Sequence, residues 1–112
     1  MSPDPMSRTL VPGTLTLLLL RVLDSGPLHG YAIAQRISLV SGEVLRVEEG
    51  SLYPALQKML RKGWVRAEWG LSDTGRRVRS YHLTPAGRAQ LESERAGYDH
   101  VNRAIQAVLK RA

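Results

Sequence analysis

The stretch Gly50 to Gly63, GSLYPALQKMLRKG, decides the fold, because it predicts a helix with two unlike faces. At helical period its apolar side chains fall on one stripe, formed by Leu52, Leu56, Met59 and Leu60. The other face carries hydrogen-bonding and cationic groups, namely Ser51, Pro54, Gln57, Lys58 and Arg61. We therefore expect one side to enter a small core and the other to be available to a partner.

Two further helices are predicted before this stretch. Pro12 to Asp24 has apolar residues at the spacing of an amphipathic helix, and Tyr31 to Val40 forms a second helix that ends at Ser41-Gly42. Leu17 and Leu20 make the first helix apolar on a second side, which we expect to meet another subunit. Residues 1–9 carry two prolines and no apolar periodicity, and are predicted to form a flexible arm.

A different period follows Gly63. Val65 to Trp69 and Arg77 to Leu83 alternate apolar and polar residues, which predicts a two-stranded hairpin with a turn at Leu71 to Gly75. Thr84-Pro85 is a strong helix start, with Thr as the N-cap and Pro at the first helical position. The helix is expected to run to Ala112, and its length of about 40 Å exceeds what so small a domain can cover.

The C-terminal helix carries a short heptad pattern. Leu91, Tyr98 and Ile105 recur every seven residues, and Val101 and Val108 fill the intermediate positions. An ordinary amphipathic helix packed on its own domain is the alternative. We favour self-association, with an interface made of Leu17, Leu20, Leu91, Tyr98, Val101, Ile105 and Val108.

The charge is concentrated in one part of the chain. Of 112 residues, 16 are Lys or Arg and 10 are Asp or Glu, which gives a net charge of +6. The segment from Lys58 to Arg88 holds eight basic and two acidic residues, so it carries the whole excess. Such a cluster is typical of a surface that binds a polyanion.

Several other classes of protein find little support. The chain has no cysteine, and its longest apolar run, Leu15 to Leu20, is too short for a membrane span. No glycine-rich phosphate loop and no nucleophile with a neighbouring base is present, so we expect no enzyme, no cofactor and no metal site. The expected location is the cytoplasm.

Three helices followed by a hairpin and a long helix is the order of a winged helix-turn-helix. The predicted fold class is mainly α with a small β-hairpin: a winged helix-turn-helix over residues 10–83 and a C-terminal dimerisation helix over residues 84–112. In that design the third helix lies in the DNA major groove, and the wing lies along the backbone or minor groove.

The same residues resemble the PadR family of bacterial transcriptional regulators. The resemblance rests on HGYAIAQRI, on GSLYPALQKMLRKGWV and on YHLTPAGRAQL, and it spans about Gly13 to Leu91. It implies a homodimeric regulator that binds double-stranded operator DNA, usually a repressor, which a small molecule can release. Because the chain ends near its single long helix, it resembles the short type within this family.

By position, the resemblance places the DNA contacts on the third helix and the wing. The helix residues are Ser51, Tyr53, Pro54 and Lys58, with Gln57 and Arg61 on the same polar face, and the wing residues are Arg76, Arg77 and Arg79. Tyr31 and Gln35 on the second helix are secondary candidates. Tyr53 has an alternative, since its ring could instead pack beside Leu52 and Leu56.

Two other functions are weighed against DNA binding. The first is a dimerising adaptor, whose basic face would meet an acidic protein. The second is a sensor of a small hydrophobic or aromatic effector, for which Trp64 and Trp69 could line a pocket. Tryptophans in these positions more often brace a hairpin against the helices.

Overall fold

The computed structural model describes residues 8–9 and 13–112, with side chains described for residues 13–112. Four helices are present in this part of the chain: α1 (Leu15–Asp24), α2 (Gly30–Val40), α3 (Glu49–Arg61) and α4 (Pro85–Arg111). The five strands are β1 (Arg8–Thr9), β2 (Leu28–His29), β3 (Leu45–Arg46), β4 (Val65–Leu71) and β5 (Arg77–Leu83). The predicted order of elements is thus confirmed, except that the two-residue strands β1 and β2 are additional.

The core lies where the first three helices meet the sheet. Its members are fully or almost fully buried aliphatic side chains and one tyrosine: Leu19, Leu20, Leu23, Ile33, Ile37, Leu52, Leu56, Met59, Val65, Tyr81 and Leu91. The predicted apolar stripe of α3 enters this core, since three of its four residues are 0% exposed and Leu60 is half-buried. Burial of this stripe leaves the polar face of α3 outward.

The sheet has three strands in the order β2-β5-β4, not two as the sequence predicts. In the hairpin, Trp69 lies opposite Arg79 and Leu71 lies opposite Arg77, so these four side chains share one face. Leu71 belongs to β4 rather than to the turn. On the other edge of β5, Leu28 pairs with Tyr81 and fixes the start of α2 against the sheet.

The predicted N-terminal arm falls mainly on residues 1–7, which lie outside the described residues, as does Pro12. Arg8–Thr9, its last two residues, form β1, which pairs in parallel with Leu45–Arg46. The segment Val44 to Val47 is short and β-branched, which predicts one brief strand, and β3 (Leu45–Arg46) confirms it.

The long helix α4 begins as predicted, and Leu91 in its second turn is its last buried residue. Thr84 caps it by accepting a hydrogen bond from the backbone N–H of Gly87 at 3.0 Å. Leu91 is 1% exposed and belongs to the core, and Leu20 is 0% exposed. These two predicted interface residues are corrected here, because their own chain covers them completely and leaves no surface for a partner.

The other residues of the predicted α4 interface are exposed, unlike Leu91. Tyr98, Val101, Ile105 and Val108 are 47%, 56%, 51% and 62% exposed, which is unusual for a regular apolar row. Leu17 of α1 is half-buried and faces this row near Tyr98 and Val101, across an open groove.

No helix in the described part of the chain is both long enough and apolar enough to cross a membrane.

Candidate nucleic-acid interface

The polar face of α3 is set outward by the burial of its other side. Ser51, Pro54, Gln57, Lys58 and Arg61 are all exposed, as the helical period predicts. Pro54 has no backbone N–H and lies inside the helix, so the carbonyl of Gly50 loses its usual partner four residues later. This carbonyl lies on an exposed turn, where water can satisfy it.

Tyr53 lies at the edge of this polar face and packs against α2. Its side chain is 40% exposed, and a Cβ placed on Gly30 would lie only 2.9 Å from its Cε1 atom. Gly30 is thus the residue that lets the tyrosine ring lie close to the start of α2. The ring does not pack into the core beside Leu52 and Leu56, and it remains available for contact through its hydroxyl.

An open groove of about 520 Å³ separates the start of α2 and α3 from the wing, β4–β5. Tyr53 lines the helical wall of this groove together with His29, Gly30 and Tyr31. The opposite wall is basic and contains the three predicted wing arginines: Arg76, Arg77 and Arg79. Of the predicted α3 contacts, Tyr53 lines this groove together with the wing arginines, whereas Ser51, Pro54, Gln57, Lys58 and Arg61 do not line it.

The two second-helix candidates differ in whether they line this groove beside the wing (the wing groove). Tyr31 borders the wing groove and is 52% exposed. Gln35 is also exposed, but it lines a separate hollow between α2 and the segment Arg46 to Glu48. The structure does not bring Gln35 to the wing groove.

Trp69 organises the basic wall of the groove. The guanidinium carbon of Arg77 lies 4.6 Å from the centroid of the Trp69 ring, and that of Arg79 lies 5.9 Å from it. Arg79 also lies 5.9 Å from the ring of Tyr81. Cation–π contacts at these distances limit the directions in which the two arginines can point.

Within the described residues, Arg76, Arg77 and Arg79 form no ion pair, and neither does Lys58 nor Arg61. Their charges are therefore free to meet an external anion.

Glu68, one of the two acidic residues of the wing, lies on the face opposite Trp69 and pairs with Arg66. Arg66 donates a hydrogen bond to Glu68 and lowers the pKa of that carboxyl below its ordinary value, with a smaller contribution from the charge of His82. His82 Nε2 lies 3.4 Å from Glu68 Oε2. Glu68 therefore does not face the basic wall, and Asp73, the other acidic residue of the wing, lies in its turn and does not line the groove.

The sequence did not identify Trp69 and Gly30 as members of this surface. The signal for Trp69 was the register of the hairpin, since alternation places Trp69 and Arg79 on one face once the turn is known. The contact of Gly30 with Tyr53 joins two helices and has no signal in one sequence. Trp64 packs against the core instead of lining a pocket with Trp69, so the two tryptophans do not form the planar-ligand site considered above.

A helix-turn-helix with an arginine-bearing wing and an exposed polar third helix defines a winged-helix DNA-binding protein by its architecture. Comparison with known proteins agrees. The profile of the transcriptional regulator PadR-like family matches residues 19–93, and this chain belongs to that family. The resemblance stated from the sequence is confirmed.

Individual relatives show the extent of the likeness. A transcriptional regulator of Mycobacterium tuberculosis is 35% identical over 77 residues, which cover 69% of this chain and 68% of that protein. An uncharacterized 37.1 kDa protein in a transposon of Streptomyces fradiae is 49% identical over 78 residues, which cover 70% of this chain but only 21% of that protein.

Among solved structures, a PadR family transcription regulator from Clostridium difficile has the same fold. It superposes with a TM-score of 0.73 at 24% identity, over 86% of this chain and 98% of that one. Members of this family are transcriptional regulators rather than enzymes.

Proposed function

We propose that the chain acts as a homodimeric repressor that binds a pseudo-palindromic DNA operator. The observation that carries this proposal is the groove beside the wing, which Tyr53 of α3 lines together with Arg76, Arg77 and Arg79, next to the exposed polar face of α3. A cylindrical polar surface beside a basic ribbon matches the shape of a duplex groove and its bordering phosphates.

The helix α3 selects the DNA sequence. A helix with side chains is about 10–12 Å across and fits a major groove about 12 Å wide. Ser51 and Gln57 carry a hydroxyl and an amide that can read base edges, whereas Lys58 and Arg61 supply charge to the phosphates. Tyr53 reaches a phosphate through its hydroxyl from the edge of the helix.

The wing contributes most of the affinity for DNA. Arg76, Arg77 and Arg79 meet the phosphates beside the bound groove, and each neutralised phosphate releases counterions. Binding should therefore weaken steeply with salt, with a slope near −0.9 per neutralised phosphate on a double-logarithmic plot.

The exposed apolar row of α4 provides the dimer contact, together with Leu17. Covering Tyr98, Val101, Ile105 and Val108 with a second copy removes this row from water. Two joined copies then present two α3 helices to one face of the duplex, about one helical turn or a multiple of it apart. Such a dimer covers promoter DNA, which makes repression the expected direction of regulation.

A small hydrophobic or aromatic effector would release this repressor at the dimer contact. The groove between α1 and α4 is lined by Leu17, Tyr98 and Val101, so a ligand there would alter how the two copies pair. Thermal shift of the dimer against planar hydrophobic compounds tests this step.

Genomic mapping of bound sites in the source organism, followed by titration of the best site at several salt concentrations, tests the proposal. We expect a two-fold-symmetric motif with half-sites about 10 bp apart or a multiple of it. Bound regions without a shared motif, and an affinity that stays constant with salt, would reject it in favour of an adaptor that binds an acidic protein.

A further inference from the structure

The end of α3 and the first turn of α4 are tied together by one threonine. Thr84 Oγ1 donates to the backbone oxygen of Gly63 at 2.6 Å, and the Thr84 N–H donates to the oxygen of Trp64 at 3.0 Å. The same Oγ1 accepts from the N–H of Gly87 at 3.0 Å. Thr84 thus caps α4 and holds the residues that end α3.

Gly87 brings the two backbones into direct contact. A Cβ on this residue would lie 2.0 Å from the oxygen of Trp64 and 2.9 Å from its carbonyl carbon. Both atoms belong to the backbone, so no side-chain rotation could make room. Even alanine would push the start of α4 away from the α3–β4 segment.

Gly63 fixes the other side of this contact. Its φ of +75° is left-handed and suits glycine, and its N–H donates to the oxygen of Leu60 at 3.1 Å. Trp64 N–H then donates to Met59 oxygen at 3.0 Å. The backbone that receives Thr84 and Gly87 is therefore the C-terminal cap of α3 itself.

The other contacts of α4 with the domain are less directional. Arg88 Nε lies 3.1 Å from Asp24 Oδ1, but the arginine is exposed and such a pair contributes little. Leu91 is buried, yet apolar packing alone tolerates small changes of angle. The hydrogen bonds and the close backbone contact at residues 63, 64, 84 and 87 hold the first turn of α4 against the C-terminal cap of α3.

The length of α4 amplifies any change in its direction. The exposed row of α4 begins 11 residues after Gly87 and ends 21 residues after it, at roughly 16 and 32 Å along the helix axis. A small tilt at the first turn becomes a displacement of several ångströms where two copies would meet.

We propose that the joint formed by Gly63, Trp64, Thr84 and Gly87 sets the separation of the two α3 helices in the dimer, and hence the half-site spacing that the protein accepts. These four are positioning residues that need not touch DNA. The inference rests on the homodimer of the proposed function. It gives a role to Thr84 and Gly87 in the stretch YHLTPAGRAQL, which the DNA contacts do not explain.

The test measures the separation without DNA. The chain has no cysteine, so Lys58→Cys on the exposed face of α3 places one spin label on each copy, and pulsed electron paramagnetic resonance gives the distance between them. Thr84→Val removes the side-chain hydrogen bonds at nearly constant shape, Thr84→Ser keeps them, and Gly87→Ala forces the contact open. Gly70→Ala is the matched control, because a Cβ there meets open space in the described chain.

We expect Gly87→Ala and Thr84→Val to shift the label distance by about 3 Å or more, or to broaden its distribution, because the tilt grows along the helix. Thr84→Ser and Gly70→Ala should match the unsubstituted protein. Gly87→Ala and Thr84→Val are also made without Lys58→Cys and titrated with DNA. Their affinity for an operator of the preferred half-site spacing should fall about tenfold, while their affinity for an isolated half-site stays the same.

The inference is overturned if dimeric Gly87→Ala and Thr84→Val keep the original label distance. If Gly87→Ala does not fold, Thr84→Val still tests the inference, because it adds no bulk to the joint. A labelled parent protein that shows no distance between copies would instead contradict the homodimer of the proposed function.

Discussion

The guanidinium carbon of Arg77 lies 4.6 Å from the centroid of the Trp69 ring, on the face of the wing that borders the groove. Trp69 is 59% exposed, so its contact with arginine is a surface feature and not part of the core. The ring also faces Arg79, and it thereby limits the motion of two cations before any anion arrives. This ordering lowers the entropy that the arginines lose on binding phosphates.

Replacement of Trp69 should therefore weaken DNA binding although no charge changes. We expect Trp69→Ala to lose about 0.5–1 kcal/mol of binding free energy, the scale of an exposed cation–π contact, and Trp69→Phe to retain part of it. Fluorescence anisotropy at one fixed salt concentration measures both. Equal affinities for the alanine variant and the parent protein would show that the arginines need no platform.

Removal of a wing charge should change the salt dependence itself. Arg77→Ala is expected to weaken binding to all sequences alike and to reduce the steepness of the salt slope by about 0.9. Arg103→Ala is the control, because it removes the same charge from an exposed position on α4. Titrations at four or more salt concentrations give both slopes, and the idea of a phosphate contact fails if the two variants behave alike.

Substitution at Gln57 should alter which sequence is preferred. Its amide is on the exposed face of α3, where it can form two hydrogen bonds with an adenine edge. We expect Gln57→Ala to lose about 1–3 kcal/mol of discrimination at one base position, with little change on unrelated DNA. Selection from a random duplex library reports the preference, and a uniform loss on all duplexes would move Gln57 to the phosphate contacts.

The stability of the domain should depend on the buried stripe of α3. Leu56 is 0% exposed, so Leu56→Ala leaves a cavity and should cost about 2–5 kcal/mol of unfolding free energy. Lys58→Ala, two residues away on the exposed face, should change it by less than about 0.5 kcal/mol. Urea denaturation followed by circular dichroism measures both, and similar values would mean that the stripe is not the centre of the core.

The helices and the wing were predictable because each follows a local period. The apolar stripe from Leu52 to Leu60 and the alternation after Val65 are visible in a few consecutive residues, and Thr84-Pro85 marks a helix start without tertiary information. The strand β2 was not predictable, because two residues carry no alternation and pair only after β5 is in place.

Contacts between elements distant in sequence account for the two wrong interface predictions and for the contacts that were not predicted. Leu20 and Leu91 fit the apolar pattern of an interface as well as that of a core, and only packing of α1 against α4 shows that they are buried within one chain. The contact of Tyr53 with Gly30 and that of Gly87 with Trp64 depend on backbones from different elements. A glycine in the sequence does not reveal which atom lies against it.

Charge in the exposed row of α4 should separate the two copies. Ile105 is 51% exposed in the single chain and lies in the middle of the row, so Ile105→Asp would bury a carboxylate without a partner in the dimer. We expect monomers by sedimentation, together with loss of affinity for a two-half-site operator and retention of weak binding to one half-site. Arg103→Asp is the control, since two residues along a helix correspond to about 200° and place it on the far side. If Ile105→Asp sediments as a dimer while Arg103→Asp does not, the interface is on the opposite face of α4.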